Sequence, residues 1–146
     1  MLLVPHAFAG ALIGIKINNP LISLPLAFLS HFVLDIVPHW NPSSKQWKQK
    51  NCLPFLATDL VLSIVISALI AYKYNSPLIF LNGLVAILPD LLQAPNVLFK
   101  NNFFLFTFLR NIQSKIQFHV KNIALGSITQ ILFVLICIFL LKEVSI

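Results

Sequence analysis

Five apolar runs, at roughly 4–17, 21–39, 53–72, 77–98 and 123–141, take up most of the chain and leave little polar surface to face water. A helix needs about 20 residues to cross the ~30 Å hydrocarbon core of a bilayer, with a range of about 17–25. The third and fifth runs meet that length comfortably. The first is marginal, and the second and fourth are interrupted by prolines and acids. The pattern predicts an all-α integral membrane bundle of four to five short or kinked transmembrane helices, in a single domain over residues 1–146. Composition agrees, because 58% of the residues are hydrophobic and 10% are charged. An ordinary soluble domain carries about 25% charged residues.

Those few charges are unevenly placed. The chain has ten Lys and Arg against four acids, a net charge of +6. The basic residues gather in 41–52 and 100–121, between apolar runs, where they would anchor the protein to anionic lipid headgroups. No soluble basic domain is present to bind nucleic acid. With five crossings, Lys45, Lys48, Lys50, Lys100, Arg110, Lys115 and Lys121 share one side, and only Lys16, Lys73 and Lys142 lie on the other. That asymmetry places the N-terminus in the cytoplasm of a multi-pass inner-membrane protein.

Residues 103–121 read as an amphipathic helix lying in the interface, with Leu105, Leu109, Ile112 and Ile116 as its apolar stripe. Arg110, Gln113, Ser114, Gln117 and Lys121 fall on its other faces, while His119 continues the stripe and is expected to point inward. Trp40 and Trp47 read as interface anchors. Cys52 and Cys137 have no metal-type spacing and no expected disulfide. A cleavable signal peptide is not expected, because no Lys or Arg precedes the first apolar stretch and Pro5 and His6 interrupt it.

The chemistry-bearing pattern is His31-x-x-x-Asp35-x-x-Pro38-His39. On a helix this i, i+4, i+8 spacing stacks three side chains along one face, neighbours about 5–6 Å apart. An ionisable residue at the centre of a membrane helix costs roughly 2.5–3.5 kcal/mol, so such residues are rare unless they have a use. Under alternating topology His6, His31, Asp35, His39, Asp59, Asp90 and His119 all fall toward the same end of the bundle. A mixed imidazole and carboxylate set suits Zn²⁺ first, with Mn²⁺ or Fe²⁺ as alternatives. All seven are candidate metal ligands for one or two ions, and Asp35 and Asp59 are the candidate catalytic carboxylates. The bland reading of each is different: an interfacial His6, an Asp59 favouring a helix N-terminus, an Asp90 capping a turn, a His119 touching lipid phosphate. No GxSxG, no P-loop and no Cys–His pairing offers another scheme.

Three stretches carry a family resemblance: His6-Ala7-Phe8-Ala9-Gly10, then the row from His31 to His39, then Gly83 through Leu88-Pro89-Asp90. In this order they resemble the predicted membrane-bound metal-dependent hydrolases of bacteria and archaea. More remotely, the His and Asp usage is similar to that of zinc-dependent phospholipase C enzymes. The resemblance implies a metal-dependent hydrolase acting on a phosphoester, with a lipid-linked substrate at the cytoplasmic face. The chain departs from the pattern in two places. Leu91-Leu92 follow Asp90 where members often carry a second Asp, and His119 stands alone where paired histidines are usual. Two rival readings follow, a non-catalytic module with a structural or vestigial site and an ion- or proton-coupled transporter. Transport sites usually lie near the midplane between repeats, whereas these residues gather at one end.

Overall fold

A computed structural model describes residues 1–42, 46, 52–99 and 104–143, and every element longer than one bridge pair among them is helical. The helices are α1 (Leu3–Lys16), α2 (Pro20–Asp35), α3 (Cys52–Lys73), α4 (Pro77–Phe99), α5 (Phe104–Ile116) and α6 (Ile123–Glu143). By length and composition, three are able to cross a membrane: Cys52–Lys73, Pro77–Pro95 within α4, and Ile123–Glu143. The other two apolar helices, α1 and α2, are shorter. Lys45, Trp47, Lys48, Lys50 and Lys100, read above as anchors, lie outside the described residues.

Small residues let α1 sit at the centre. Ala7, Gly10, Ala11 and Gly14 are buried along it, and the backbone of α4 approaches where their side chains end. A Cβ added to Gly10 would fall on the Asn82 carbonyl and lie 2.7 Å from the Ala86 Cβ. Close backbone approach of this kind is how helices associate in lipid, where apolar side chains gain little by leaving their surroundings. Leu and Ile point outward instead. Leu21, Val33, Leu69, Leu132 and Phe139 are each at least 57% exposed. Meanwhile Ser23, Ser63, Ser67 and Asn82 are fully buried. This inverted pattern leaves an apolar coat that a bilayer would cover. Several of these interior polar groups find partners, with Asn82 Nδ2 donating to Ser23 Oγ at 3.1 Å and Ser63 and Ser67 bonding back along α3.

Two boundaries differ from the sequence expectation. Helix α2 ends at Asp35 rather than running on to His39. Pro38 disfavours the helical region for Val37, and a turn closed by Ile36 and Val37 follows. His39 therefore reaches the site from a loop, not from the third rung of a helical row. Likewise α5 stops at Ile116 instead of continuing to 121. The following backbone pairs with the end of α2: Phe118 N donates to Asp35 O, His39 N to Phe118 O, and Val120 N to His39 O. That pairing makes an isolated parallel bridge between His39 and His119. By contrast α4 continues through Pro89 and Pro95.

Helix α6 holds the loop after α2 in place. Gly126 lets the Trp40 backbone come within hydrogen-bonding reach, with Trp40 N donating to Gly126 O at 3.2 Å. Thr129 Oγ1 donates to the Pro38 carbonyl at 2.6 Å and Gln130 Nε2 to the Trp40 carbonyl at 2.9 Å. Trp40 itself packs edge-on to Phe55, ring centroids 6.2 Å apart, so its side chain belongs to this joint as well.

Candidate metal centre

His6 lies one turn into α1, fully buried, and neither ring nitrogen has a hydrogen-bond partner. Its ring stacks on His31 with centroids 4.0 Å apart, and its Nε2 lies 3.4 Å from Asp35 Oδ1. A buried polar group without a partner is unfavourable, so an orphaned imidazole in an apolar bundle points to a missing contact.

His31 and Asp35 sit a helical turn apart on α2. His31 Nδ1 meets the Ala86 carbonyl at 2.9 Å. A carbonyl only accepts, so the proton is on Nδ1 and, in the neutral ring, Nε2 is bare. That Nε2 faces Asp35 Oδ2 and Asp90 Oδ1, each at 3.5 Å. His39 repeats the arrangement, with Nδ1 on the Val37 carbonyl at 2.7 Å and Nε2 turned toward Asp35 Oδ1 at 3.7 Å. Burial holds the His39 imidazole below its usual value, which keeps that ring neutral. A ring nitrogen facing a carboxylate needs a proton or a cation between the two. Fixing one ring nitrogen on a carbonyl to present the other is how histidine ligands are commonly oriented.

His6, His31 and Asp90 form a cluster that could hold a metal ion, their ligand atoms all within 4.8 Å of one another. Atoms bound to one ion at about 2.0–2.2 Å lie at most about 4.4 Å apart, so a small contraction would seat an ion. Asp35 is the hub of the neighbourhood. Besides three imidazoles it meets the Met1 amino nitrogen, and it is fully buried.

The remaining two candidates are placed differently. Asp59 of α3 accepts from Leu3 N at 2.7 Å and Val4 N at 3.3 Å. The N-cap residue of α1, Leu2, offers no capping side chain, so Asp59 supplies the cap from a neighbouring helix and thereby fixes the turn that carries His6. Asp59→Ala is expected to lower stability by about 1 kcal/mol, the usual value of a cap, and to weaken metal binding without abolishing it. Thermal unfolding in detergent alongside metal titration checks both. His119 is exposed, and only its backbone joins the site through His39. The helix that would have turned it inward has ended three residues earlier.

One polar residue of the site stands, by sequence pattern, on the water-facing side of α5. Gln113 is instead 4% exposed, and its Nε2 lies 2.8 Å from Asp35 Oδ2, 2.7 Å from Asp90 Oδ1 and 3.2 Å from His31 Nε2. Gln93 of α4 donates to its Oε1. The signal was present in the spacing, since Gln113 stands four residues after Leu109, which is buried on the same face.

Two apolar grooves open beside the cluster. One, of about 190 Å³, runs along Leu53, Leu56, Leu60 and Leu91 and reaches Asp59 and Asp90. The other, of about 340 Å³, lies among Val4, Phe55, Leu62, Ile131 and Leu135 and also reaches Asp59. No family model, curated protein or solved structure matches the chain.

Proposed function

We propose that the protein is a metal-dependent hydrolase embedded in the inner membrane, acting on a phosphoester of a lipid or lipid-linked substrate at the cytoplasmic face. The observation that carries this reading is the buried His6, whose ring nitrogens make no hydrogen bond and which stands beside His31 and Asp90 in a ligand-sized cluster. The resemblance to predicted membrane-bound metal-dependent hydrolases supports it. In this reading α1 and α2 add to the three longer helices to make four or five crossings, the bilayer thinning around the shorter pair, and the basic loops face the cytoplasm.

His6, His31 and Asp90 would hold a divalent ion, Zn²⁺ first, with Mn²⁺ or Fe²⁺ as alternatives. Such an ion supplies an acidified water and positive charge for developing phosphoryl oxygens. Asp35 Oδ1, between His6 and His39, is placed to accept the proton of an attacking water. His39 stands beside it, with Nδ1 on the Val37 carbonyl and Nε2 2.9 Å from the Gln117 amide nitrogen, contacts that would hold the ring against the carboxylate. The groove that reaches Asp90 accommodates an acyl chain while the headgroup stays at the polar cluster, and its leucines exclude water from the chain. One observation favours a non-catalytic, single-ion structural site instead: His119 is at the surface, leaving fewer donors for a second ion.

Elemental analysis of detergent-purified protein, paired with assays on a long-chain and a short-chain phosphomonoester, tests this reading. Near-stoichiometric metal, hydrolysis favouring the long chain, and loss of both in Asp90→Ala are expected. Metal without hydrolysis of either ester would assign the structural site. No metal after reconstitution with Zn²⁺, Mn²⁺ and Fe²⁺ in turn would sink the hydrolase.

A further inference from the structure

Gln113 reaches the cluster from α5, a helix whose sequence pattern places it along the membrane surface. Its amide nitrogen has two protons. Three acceptors converge on it within 2.7–3.2 Å: Asp35 Oδ2, Asp90 Oδ1 and His31 Nε2. The third cannot be another donor while His31 is neutral, because the Ala86 carbonyl already claims the Nδ1 proton. In that state one acceptor is short of a proton. An amide nitrogen drawn to the focus of two carboxylates and a bare imidazole nitrogen stands where a small cation would be drawn for the same reason.

The other half of the amide is held as well. Gln93 Nε2 donates to Gln113 Oε1 and also lies 3.1 Å from the Pro89 carbonyl, which keeps the Gln113 oxygen turned away from the carboxylates. Amide oxygen and nitrogen are nearly equal in size. A half-turn of the Gln113 and Gln93 amides would keep a bond between them, with Gln113 now donating to Gln93 Oε1, would give up the bond from Gln93 to the Pro89 carbonyl, and would aim Gln113 Oε1 at the cluster. Facing two carboxylates and an imidazole lone pair, that oxygen is repelled if the focus is empty and bound if the focus holds a cation.

We infer that Gln113 is a further ligand of the metal centre, its amide N–H group standing in for the ion in the metal-free protein and its Oε1 coordinating the ion when it binds. This rests on the metal reading above. It adds a fourth donor to His6, His31 and Asp90. A neutral carbonyl oxygen in a mixed nitrogen and oxygen set suits Mn²⁺ or Fe²⁺ better than Zn²⁺. Because the nitrogen now occupies the focus, binding must draw the side chain back by about one coordination bond, about 2.0–2.2 Å. The seating of α5 against α2 and α4 thus follows occupancy.

The test is titration of detergent-purified parent, Gln113→Leu and Gln113→Glu with Mn²⁺ and with Zn²⁺, with hydrogen exchange of residues 104–116 followed in each. Gln113→Leu should bind Mn²⁺ roughly tenfold or more weakly, lose less affinity for Zn²⁺, and show α5 exchange that no longer responds to metal. Gln113→Glu keeps an oxygen donor and should bind Mn²⁺ at least as tightly as the parent. In the metal-free state its α5 should exchange faster, because the introduced carboxylate would face Asp35 and Asp90. Parent-like Mn²⁺ binding by Gln113→Leu would overturn the inference and leave the metal centre standing. Loss of Mn²⁺ binding in a folded Gln113→Glu protein would overturn it too. A parent that binds neither ion removes the metal centre and this ligand together.

Discussion

Asp35→Ala is expected to lose both bound metal and about 3–5 kcal/mol of stability. That range is the usual effect of removing one partner from a buried ion pair and leaving the others uncompensated. Asp35 is fully buried. Its carboxylate faces His6 Nε2 at 3.4 Å, His31 Nε2 at 3.5 Å and His39 Nε2 at 3.7 Å, and it accepts from Gln113 Nε2 at 2.8 Å. Four elements, α1, α2, α5 and the loop after α2, are thus tied to one side chain. Asp35→Asn keeps the shape and one acceptor while removing the charge, so it should fold better than Asp35→Ala and still bind metal weakly. Denaturant or thermal unfolding in detergent, with metal content measured on the same samples, separates the two effects. An Asp35→Ala protein as stable as the parent would show that the carboxylate is not the hub of the fold.

The second large effect is expected from His31→Ala, which should reduce metal affinity by a hundredfold or more while leaving the helices assembled. Its ring supplies one of the three clustered ligand atoms, and loss of one ligand exceeds the 10–100-fold typical of losing an outer partner. The fold depends on it less than on Asp35, because its ring makes one backbone hydrogen bond, to the Ala86 carbonyl, stacks on His6, and meets Asp35 and Asp90 only at 3.5 Å. His119→Ala is the matched control. That imidazole is exposed, so its removal should leave metal content unchanged. Isothermal titration of both variants decides the matter, and retention of stoichiometric metal by His31→Ala would refute the cluster.

The long helices were legible because length and unbroken hydropathy carry the signal: α3 and α6 fall within a residue or two of the apolar runs that foretold them. Pro38 was legible too, but its weight is greater than the pattern suggests. A proline one residue before His39 reads as the end of a helix there, whereas the helix has already ended at Asp35. The close meeting of His6, His31 and Asp90 depends on Gly10 and Gly14 admitting α4 to the surface of α1. That approach is a matter of packing between segments and cannot be read from either one. Gln113 is misplaced by any reading in which a polar residue on an amphipathic helix faces water. The polar interior of this bundle reverses that assumption. Asp59 shows the same limit in another form, for a residue that reads as starting its own helix turns out to cap a different one.

The joint between α6 and the loop carrying His39 bears on biogenesis. Thr129 and Gln130 hold the carbonyls of Pro38 and Trp40, and Gly126 receives the Trp40 backbone. During synthesis α1, α2 and α4, with His6, His31 and Asp90, therefore leave the ribosome before α6, which braces the loop of His39. The setting of His39 is completed only once α6 has joined the bundle. Until then the loop that carries His39 is without its contacts to Thr129, Gln130 and Gly126.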